Sequence, residues 1–87
     1  MLGIMDEVAA ERGRQDRKWG EQNHSPYKWL VIEMEELGEA ARHAYEGDFD
    51  DYREELIQVA AVAVAAVESY DRQGRERLSR TMDRDYR

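Results

Sequence analysis

The segment Leu56–Val67 constrains the fold of this chain most, because Gln58 is its only polar side chain. A helix that is apolar on nearly all sides must be buried on more than one of them. The run is too short to span a membrane, which needs about 20 apolar residues. An 87-residue chain has few companion helices to cover such a segment. We therefore expect a homo-oligomer, a dimer or tetramer built on this helix, with a tight monomeric bundle as the alternative.

The rest of the chain also carries helical patterns, with apolar side chains recurring three and four residues apart. Ser25 followed by Pro26 predicts a helix start, Gly47 predicts its end, and Asp50 or Asp51 is expected to cap the next helix. The predicted helices run from Ile4 to about Lys18, from Tyr27 to about Glu46, from about Tyr52 to Tyr70, and from about Arg75 to Met82. No strand pattern or repeat is present. We predict one all-α domain over residues 1–87, a bundle of three to four helices.

Composition narrows the functional classes. The chain has no cysteine, which excludes disulfides and thiolate metal sites. The first residues reach Asp6 and Glu7 at once, without the pattern of a signal peptide, and we expect a soluble cytoplasmic protein with no membrane partner. A net charge of −7 argues against binding to nucleic-acid polymers, whose phosphates must be neutralised.

The carboxyl-terminal part is nevertheless rich in arginine. Such a segment is typical of a solvated tail. The alternative is that one or two of these side chains contact a phosphate. The arginines concerned are Arg72, Arg75, Arg77, Arg80, Arg84 and Arg87.

Two pairs of polar residues, a Glu–Glu pair and a Glu–Gln pair, stand at the edge of the apolar stripes. Glu36 and Glu39 are three residues apart on one predicted helix, and Glu55 and Gln58 have the same spacing on the next. If the two helices pack together, these faces converge, and the like charges require a cation. Oxygen ligands of this kind suit Mg²⁺, with Mn²⁺ also possible. For the other acids, solvated side chains are an adequate explanation; these are Glu33, Glu35, Glu46 and Glu54.

These residues resemble a known family. Glu36-x-x-Glu39, followed by Glu55-Leu56-Ile57-Gln58 after a short acidic turn, is similar to the motif of the MazG-like all-α nucleoside triphosphate pyrophosphohydrolases. The segment from Arg14 to His24, which reads RQDRKWGEQNH, resembles the opening of small single-domain members from bacteria and phages. The resemblance extends from about Glu11 to Val67.

The resemblance implies Mg²⁺-dependent hydrolysis of a nucleoside triphosphate between its α and β phosphates, giving the monophosphate and pyrophosphate, as in the clearing of surplus or damaged nucleotides. The implied metal ligands are Glu36, Glu39, Glu55 and Gln58. Gln58 stands where the family has aspartate, so the cation site lacks one negative charge. Either Glu35 or Glu54 compensates for it, or the protein binds nucleotide more than it cleaves it.

The remaining roles are predicted from chemistry. Glu36 is a catalytic candidate, and Glu35 or Glu54 is expected to accept the proton of the attacking water. The cations nearest in sequence to the acids are Lys18, Lys28, Arg42 and Arg53, and we expect some of them to contact phosphates. The planes of Trp19 or Trp29 can stack on a base, while His24 or Asn23 can recognise its edge. The alternative for each tryptophan is a place in the core. His43 stands four residues after Glu39 on the same face, and it is either a ligand or a surface histidine.

Two rival classes remain. A di-iron carboxylate bundle needs Glu-x-x-His on two helices, but Arg42 and Gln58 stand at those offsets. A non-catalytic module for nucleotide binding, oligomerisation or regulation explains the apolar helix. It does not explain why acids recur at one spacing on two helices. Mg²⁺-dependent stabilisation is expected of an enzyme or nucleotide binder and not of a purely structural module.

Overall fold

The computed structural model describes residues 3–75 and residue 77. It contains three helices: α1 (Ile4–Trp19), α2 (Pro26–Glu46) and α3 (Phe49–Gln73). No strand occurs in this part of the chain, so the predicted all-α fold is confirmed. Most of the predicted last helix, Arg75 to Met82, lies outside the described residues, as do Arg80, Arg84 and Arg87.

The ends of α2 follow from its capping residues. Ser25 Oγ accepts a hydrogen bond from the backbone N–H of Lys28 at 3.2 Å, which satisfies one of the free donors of the first turn. Pro26 occupies the first helical position, where no N–H partner is needed. Gly47 then ends the helix in the left-handed region, with φ of +79°, a conformation that favours glycine. The predicted start and end of this helix are confirmed.

The start of α3 differs from the prediction. Asp48, rather than Asp50 or Asp51, is the N-cap residue, and its carbonyl accepts a hydrogen bond from Tyr52 N at 2.8 Å. The chain can enter the helix this early because Asp48 N already donates to His43 O, at 2.9 Å, across the end of α2. Asp50 and Asp51 lie in the first turn, where the helix dipole favours negative charge. The connection is therefore very short, and α2 and α3 form an antiparallel hairpin.

Helix α3 is central, because α1 and α2 both pack against it, whereas in the described part of the chain α1 and α2 do not pack against each other. The hydrophobic core consists of Trp29 with Val62 and Ala65, and Ile32 and Ala66 pack around it. This arrangement leaves an opening between α1 and α2, with α3 as its floor.

Helix α1 is attached to α3 more by ion pairs than by apolar packing. Val8 is its buried apolar residue. Arg12 donates to Glu68 on α3 through Nε at 2.9 Å and Nη2 at 2.7 Å, and also to Asp16 at 3.0 Å. Burial lowers the pKa of Arg12, but its hydrogen bonds with Glu68 and Asp16 outweigh this effect, so the pKa is raised. Near the amino end of the helix, Arg53 of α3 donates to both oxygens of Glu7.

We expect Arg12→Ala to lower the free energy of unfolding by about 1.5 to 3 kcal/mol, the usual cost of losing hydrogen bonds between charged groups. The Arg12 side chain is 14 % exposed, whereas that of Arg53 is 56 % exposed. Arg53→Ala is thus a matched control that should cost less than about 1 kcal/mol, since water screens its ion pair. Urea unfolding of both variants measures the difference. Equal costs would show that Arg12 is not the main attachment of α1.

The long apolar helix is only partly covered. Ala61, Val62 and Ala65 are buried, but Val64 and Val67 remain exposed. Other large apolar side chains of the hairpin are exposed as well, among them Leu30, Met34, Leu37 and Tyr70. Within the residues described, none of the helices has the length and apolar character needed to cross a membrane.

Candidate functional site

A cavity of about 340 Å³ occupies the opening between α1 and α2. Its floor is the side of α3 that carries Gln58, Val62 and Ala65. Four cationic side chains line it: Arg12, Arg14, Lys18 and Arg72. Asp16 and Glu36 line it as well, so cations outnumber carboxylates at this opening of a net-negative protein, a property expected of a site for an anionic ligand.

An acidic pair lies at the α2 side of this cavity. Glu36 and Gln58 line the cavity, and Glu55 adjoins Glu36 across the interface between α2 and α3. Burial, a hydrogen bond with Glu55 and the negative charges of neighbouring carboxylates together raise the pKa of Glu36. In the absence of a cation, Glu36 therefore binds a proton more readily than an exposed glutamate does.

The donor set of this pair suits a hard divalent cation. Glu55 Oε2 and Glu33 Oε1 are buried and have no hydrogen-bond partner among the residues that the structure describes. Buried carboxylate oxygens without a partner are costly, and a cation would compensate for them. The carboxylates of Glu36 and Glu55 and the amide oxygen of Gln58 are the ligands that would hold Mg²⁺. Glu36, Glu55 and Gln58 thus offer oxygen atoms of the type that binds Mg²⁺, whereas Glu39 is paired with Arg42.

The other predicted acids lie elsewhere. The side chain of Glu39 is 50 % exposed and accepts a hydrogen bond from Arg42 Nη2 at 2.5 Å, which lowers the pKa of Glu39. Its charge still contributes to raising the pKa of Glu36. Glu35 is exposed, and Glu54 lines a different opening, on the other side of α1. The structure brings Glu36 together with Glu55, and does not bring Glu35 or Glu54 to the cavity.

Glu33 was interpreted from the sequence as a solvated side chain, and the structure places it differently. Its side chain is partly buried, and burial raises its pKa. Glu33 follows Trp29 by four positions and precedes Glu36 by three. The three residues therefore share one side of α2, the side that faces α3. The sequence signal for Glu33 was its spacing from Trp29 and Glu36, but spacing alone does not show which side of α2 faces α3.

Of the predicted ligand-binding residues, Lys18 and Trp19 reach the cavity. Lys18 Nζ lies 4.8 Å from the centroid of the Trp19 ring, within the range of a cation–π contact. Trp19 is 61 % exposed, so a planar ligand has access to its ring. Trp29, by contrast, is a core residue that also forms part of the cavity wall.

The other predicted ligand-binding residues are not at the cavity. His24 packs edge to face on Trp29, with ring centroids 4.8 Å apart, and lines a second, apolar cavity of about 310 Å³. Lys28 is exposed in the first turn of α2. Arg53 is paired with Glu7 at the opening that also contains Glu54.

Several cavity residues on α1 were not predicted from sequence. Arg12 and Gln15 precede the predicted Trp19 by seven and four residues, which places all three on one side of α1. Arg14 is a further cation, and it pairs with Glu11 at 2.6 Å. The spacing was visible in the sequence, but the charged face of a helix normally faces solvent. That face of α1 becomes a cavity wall only because α1 and α2 both pack on α3 and leave an opening between them.

Arg72 holds the loop that closes one end of the cavity. Its Nη2 donates to Gln22 O and its Nε to Asn23 Oδ1, both at 3.0 Å. Ser69 Oγ accepts a hydrogen bond from His24 N at 3.3 Å. The loop between α1 and α2 is thus tied to the end of α3, so Arg72 combines a structural role with its place in the cavity lining.

Comparisons of the chain with protein-family models, with curated proteins and with solved structures give no match.

A second group of possible metal ligands lies at the turn between α2 and α3. Ligand atoms of His43, Asp48 and Asp51 all lie within 4.8 Å of one another. His43 Nδ1 is 3.8 Å from Asp48 Oδ2 and is buried without a hydrogen-bond partner in the described part of the chain. None of the three lines the 340 Å³ cavity. Asp48 and Asp51 also cap and complement the start of α3, which accounts for their presence there.

The raised pKa of Glu36 predicts an unusual dependence of stability on pH. Because its pKa in the folded protein exceeds the ordinary value of 4.5, protonation of Glu36 favours the folded state. This contribution is complete below the ordinary pKa and is lost as the pH rises through the folded pKa. Glu36→Gln, which is always neutral, should therefore be more stable than the wild type at neutral pH without metal. The difference should shrink near pH 4.5.

Urea unfolding at the two pH values, in the presence of a chelator, tests this expectation. Glu35→Gln removes the same charge from the exposed neighbouring position and serves as the control. An equal gain from both substitutions would show that only net charge matters.

Proposed function

We propose that this protein is a Mg²⁺-dependent nucleoside triphosphate pyrophosphohydrolase, which releases pyrophosphate and a nucleoside monophosphate. One observation carries the proposal: a single cavity lined by cations and by Trp19 and Trp29 has Glu36 at one side, and Glu36 adjoins Glu55, whose Oε2 is buried without a partner among the described residues. A nucleotide needs all three components, since it combines an aromatic base with a polyanion and an associated metal.

The cations of α1 are placed to bind phosphates. Lys18 makes no ion pair with any of the described residues, so its charge is available to a ligand. Arg14, whose side chain is 51 % exposed, pairs with Glu11 on its own helix. Arg12 is fixed by Glu68 and Asp16, and its charge adds to the local positive potential. Together these groups orient the triphosphate with its charge towards α1.

The acidic pair would hold the metal and handle the proton. Bound Mg²⁺ in such a site neutralises phosphate charge and lowers the pKa of a bound water. The carboxylate of Glu55 has an unpartnered oxygen that could bind the metal, and Gln58 offers its uncharged amide oxygen. Glu36 lines the cavity, so it can bind the metal and, when it does not, accept a proton from water. Glu35 and Glu54 are less suited to this role because neither lines the cavity.

The test is pyrophosphate release from a panel of ribo- and deoxynucleoside triphosphates with Mg²⁺ or Mn²⁺. A chelator is the control. Equal amounts of pyrophosphate and monophosphate, formed only with metal, would support the proposal and name the substrate. Release of orthophosphate, or no product from any triphosphate, would contradict it.

Gln58 favours a second candidate function, nucleotide binding without cleavage. It lines the cavity beside Glu36, where a carboxylate would add charge for the metal. Tight binding of a nucleotide, without turnover in the assay above, would distinguish this function from hydrolysis.

The partner that we propose for the uncovered apolar face of the hairpin is a second copy of the chain. Helix α1 covers one side of α3, and apolar residues of both hairpin helices remain exposed, including Leu30, Met34 and Val67. An exposed apolar surface of this kind is typical of an interface between subunits. Sedimentation analysis should show a dimer or tetramer that Leu37→Lys dissociates; a monomeric wild type would contradict the proposal.

A further inference from the structure

The indole N–H of Trp29 is a buried donor that lacks an acceptor. Trp29 is 6 % exposed, and its Nε1 is inaccessible and has no hydrogen-bond partner among the described residues. Leaving such a donor unpaired costs about 1 to 3 kcal/mol. Native proteins retain few of these groups, and each calls for an explanation. Buried Ser25 and Ser69 both have partners. Trp29 joins Glu33, His43 and Glu55 among the described residues with a buried unpaired atom, and of these four atoms its Nε1 is the one that can only donate.

Trp29 forms a wall between two cavities of different character. The second cavity is lined by apolar side chains such as Leu30 and Val67, and His24 meets the Trp29 ring edge to face there, at an interplanar angle of 62°. The first cavity contains the cations, Glu36 and three glutamine side chains. A polar molecule that brings an acceptor for the N–H meets charged and polar side chains in the first cavity, whereas the lining of the second is mainly apolar.

The position of Trp29 on α2 also suits a base. Glu36 follows Trp29 by seven residues, two turns along the same side of the helix, or about 10 Å. This separation is comparable to that between the base and the α and β phosphates of an extended nucleotide. A nucleotide whose phosphates lie at the acidic pair can therefore place its base beside Trp29, with Trp19 near the cavity mouth.

We infer that the Trp29 N–H donates a hydrogen bond to a ring nitrogen or carbonyl oxygen of the bound base, and that Trp29 thereby determines base specificity. This inference rests on the proposed function and assigns the recognition step within that site. A site built around a buried donor discriminates against bases that present no acceptor to it, because the donor is then left unpaired.

The test measures the binding of α,β-methylene analogues of ATP, GTP, CTP and UTP, with Mg²⁺, by calorimetry. In Trp29→Phe, which removes the N–H and keeps a ring, affinity for the preferred analogue should fall about tenfold, close to the value of one hydrogen bond. The preference among the four bases should largely disappear. Affinity for inorganic tripolyphosphate, which has no base, should be unchanged. Trp19→Phe is the matched control and should weaken all four analogues alike.

Three outcomes would overturn the inference: an unchanged base preference in Trp29→Phe, an equal loss for tripolyphosphate, or a wild type without any preference. In each case pyrophosphate release by the wild type would leave the proposed function intact. Failure of the wild type to bind or cleave any triphosphate would overturn both. If Trp29→Phe does not fold, 3-benzothienylalanine at position 29 in the Trp19→Phe background replaces N–H by sulfur without changing shape. The same losses are expected.

Discussion

Glu55→Gln should lower Mg²⁺-dependent pyrophosphate release by at least about 100-fold while leaving the helical fold intact. Loss of a residue that merely supports a metal ligand commonly costs 10- to 100-fold, and a direct ligand should cost more. Glu55 adjoins Glu36 and has a buried oxygen without a partner in the described part of the chain. Glu36→Gln should have a similar effect. Initial rates at saturating substrate, with circular dichroism for the fold, measure both.

The chain offers two matched controls for this experiment. Glu35 and Glu54 directly precede the two active-site candidates, carry the same charge and are exposed. Glu35→Gln and Glu54→Gln should therefore retain most of the activity. A comparable loss in Glu54→Gln would mean that this residue accepts the proton, as one sequence interpretation proposed. Full activity in Glu36→Gln and Glu55→Gln would remove the assignment of the site.

Mg²⁺ or Mn²⁺ should raise the melting temperature of the wild type by roughly 10 °C or more when its concentration exceeds Kd about 100-fold. A ligand at this excess contributes about 2.7 kcal/mol, and each kcal/mol shifts the melting temperature of a domain of this size by about 4 to 8 °C. The cation would relieve the repulsion that raises the pKa of Glu36. Thermal unfolding with metal and with chelator measures the shift.

Gln58→Asp is the most informative variant for this measurement. It restores the charge that Gln58 lacks, so the same shift should be reached at a lower metal concentration. Without metal the added carboxylate should destabilise the protein through repulsion by Glu36. Glu36→Gln should show little metal-dependent shift. An identical metal dependence in all three proteins would place cation binding elsewhere, for example at His43 and Asp48.

The helices of this protein were predictable because their signals are local. Ser25 before Pro26 and Gly47 at the end determine α2 through interactions within a few residues. The start of α3 was less predictable. Asp48, Asp50 and Asp51 are equally suitable caps by sequence, and the hydrogen bond from Asp48 N to the end of α2 decides among them.

The candidate site was predictable only in part. Spacing indicated that Glu36 and Glu39 share a side of α2, but it did not show which of the two faces α3. In the structure Glu36 does so, while Glu39 pairs with Arg42 in solvent. Neither arrangement follows from a pattern within one helix, because the rotation of a helix about its axis is set by packing against its neighbours.

The amino-acid sequence by itself determined that this chain is helical, where α2 begins and ends, and that acidic pairs lie at the margin of an apolar helix. These properties arise from backbone hydrogen bonds and side-chain periodicity over a few residues. Only the tertiary structure decided that Arg12 and Arg72 line the same cavity as Glu36, that Trp29 retains an unpaired N–H, and that one side of the hairpin stays uncovered. Those features depend on α1 and α2 both packing on α3, because this packing brings together residues that are far apart in the chain.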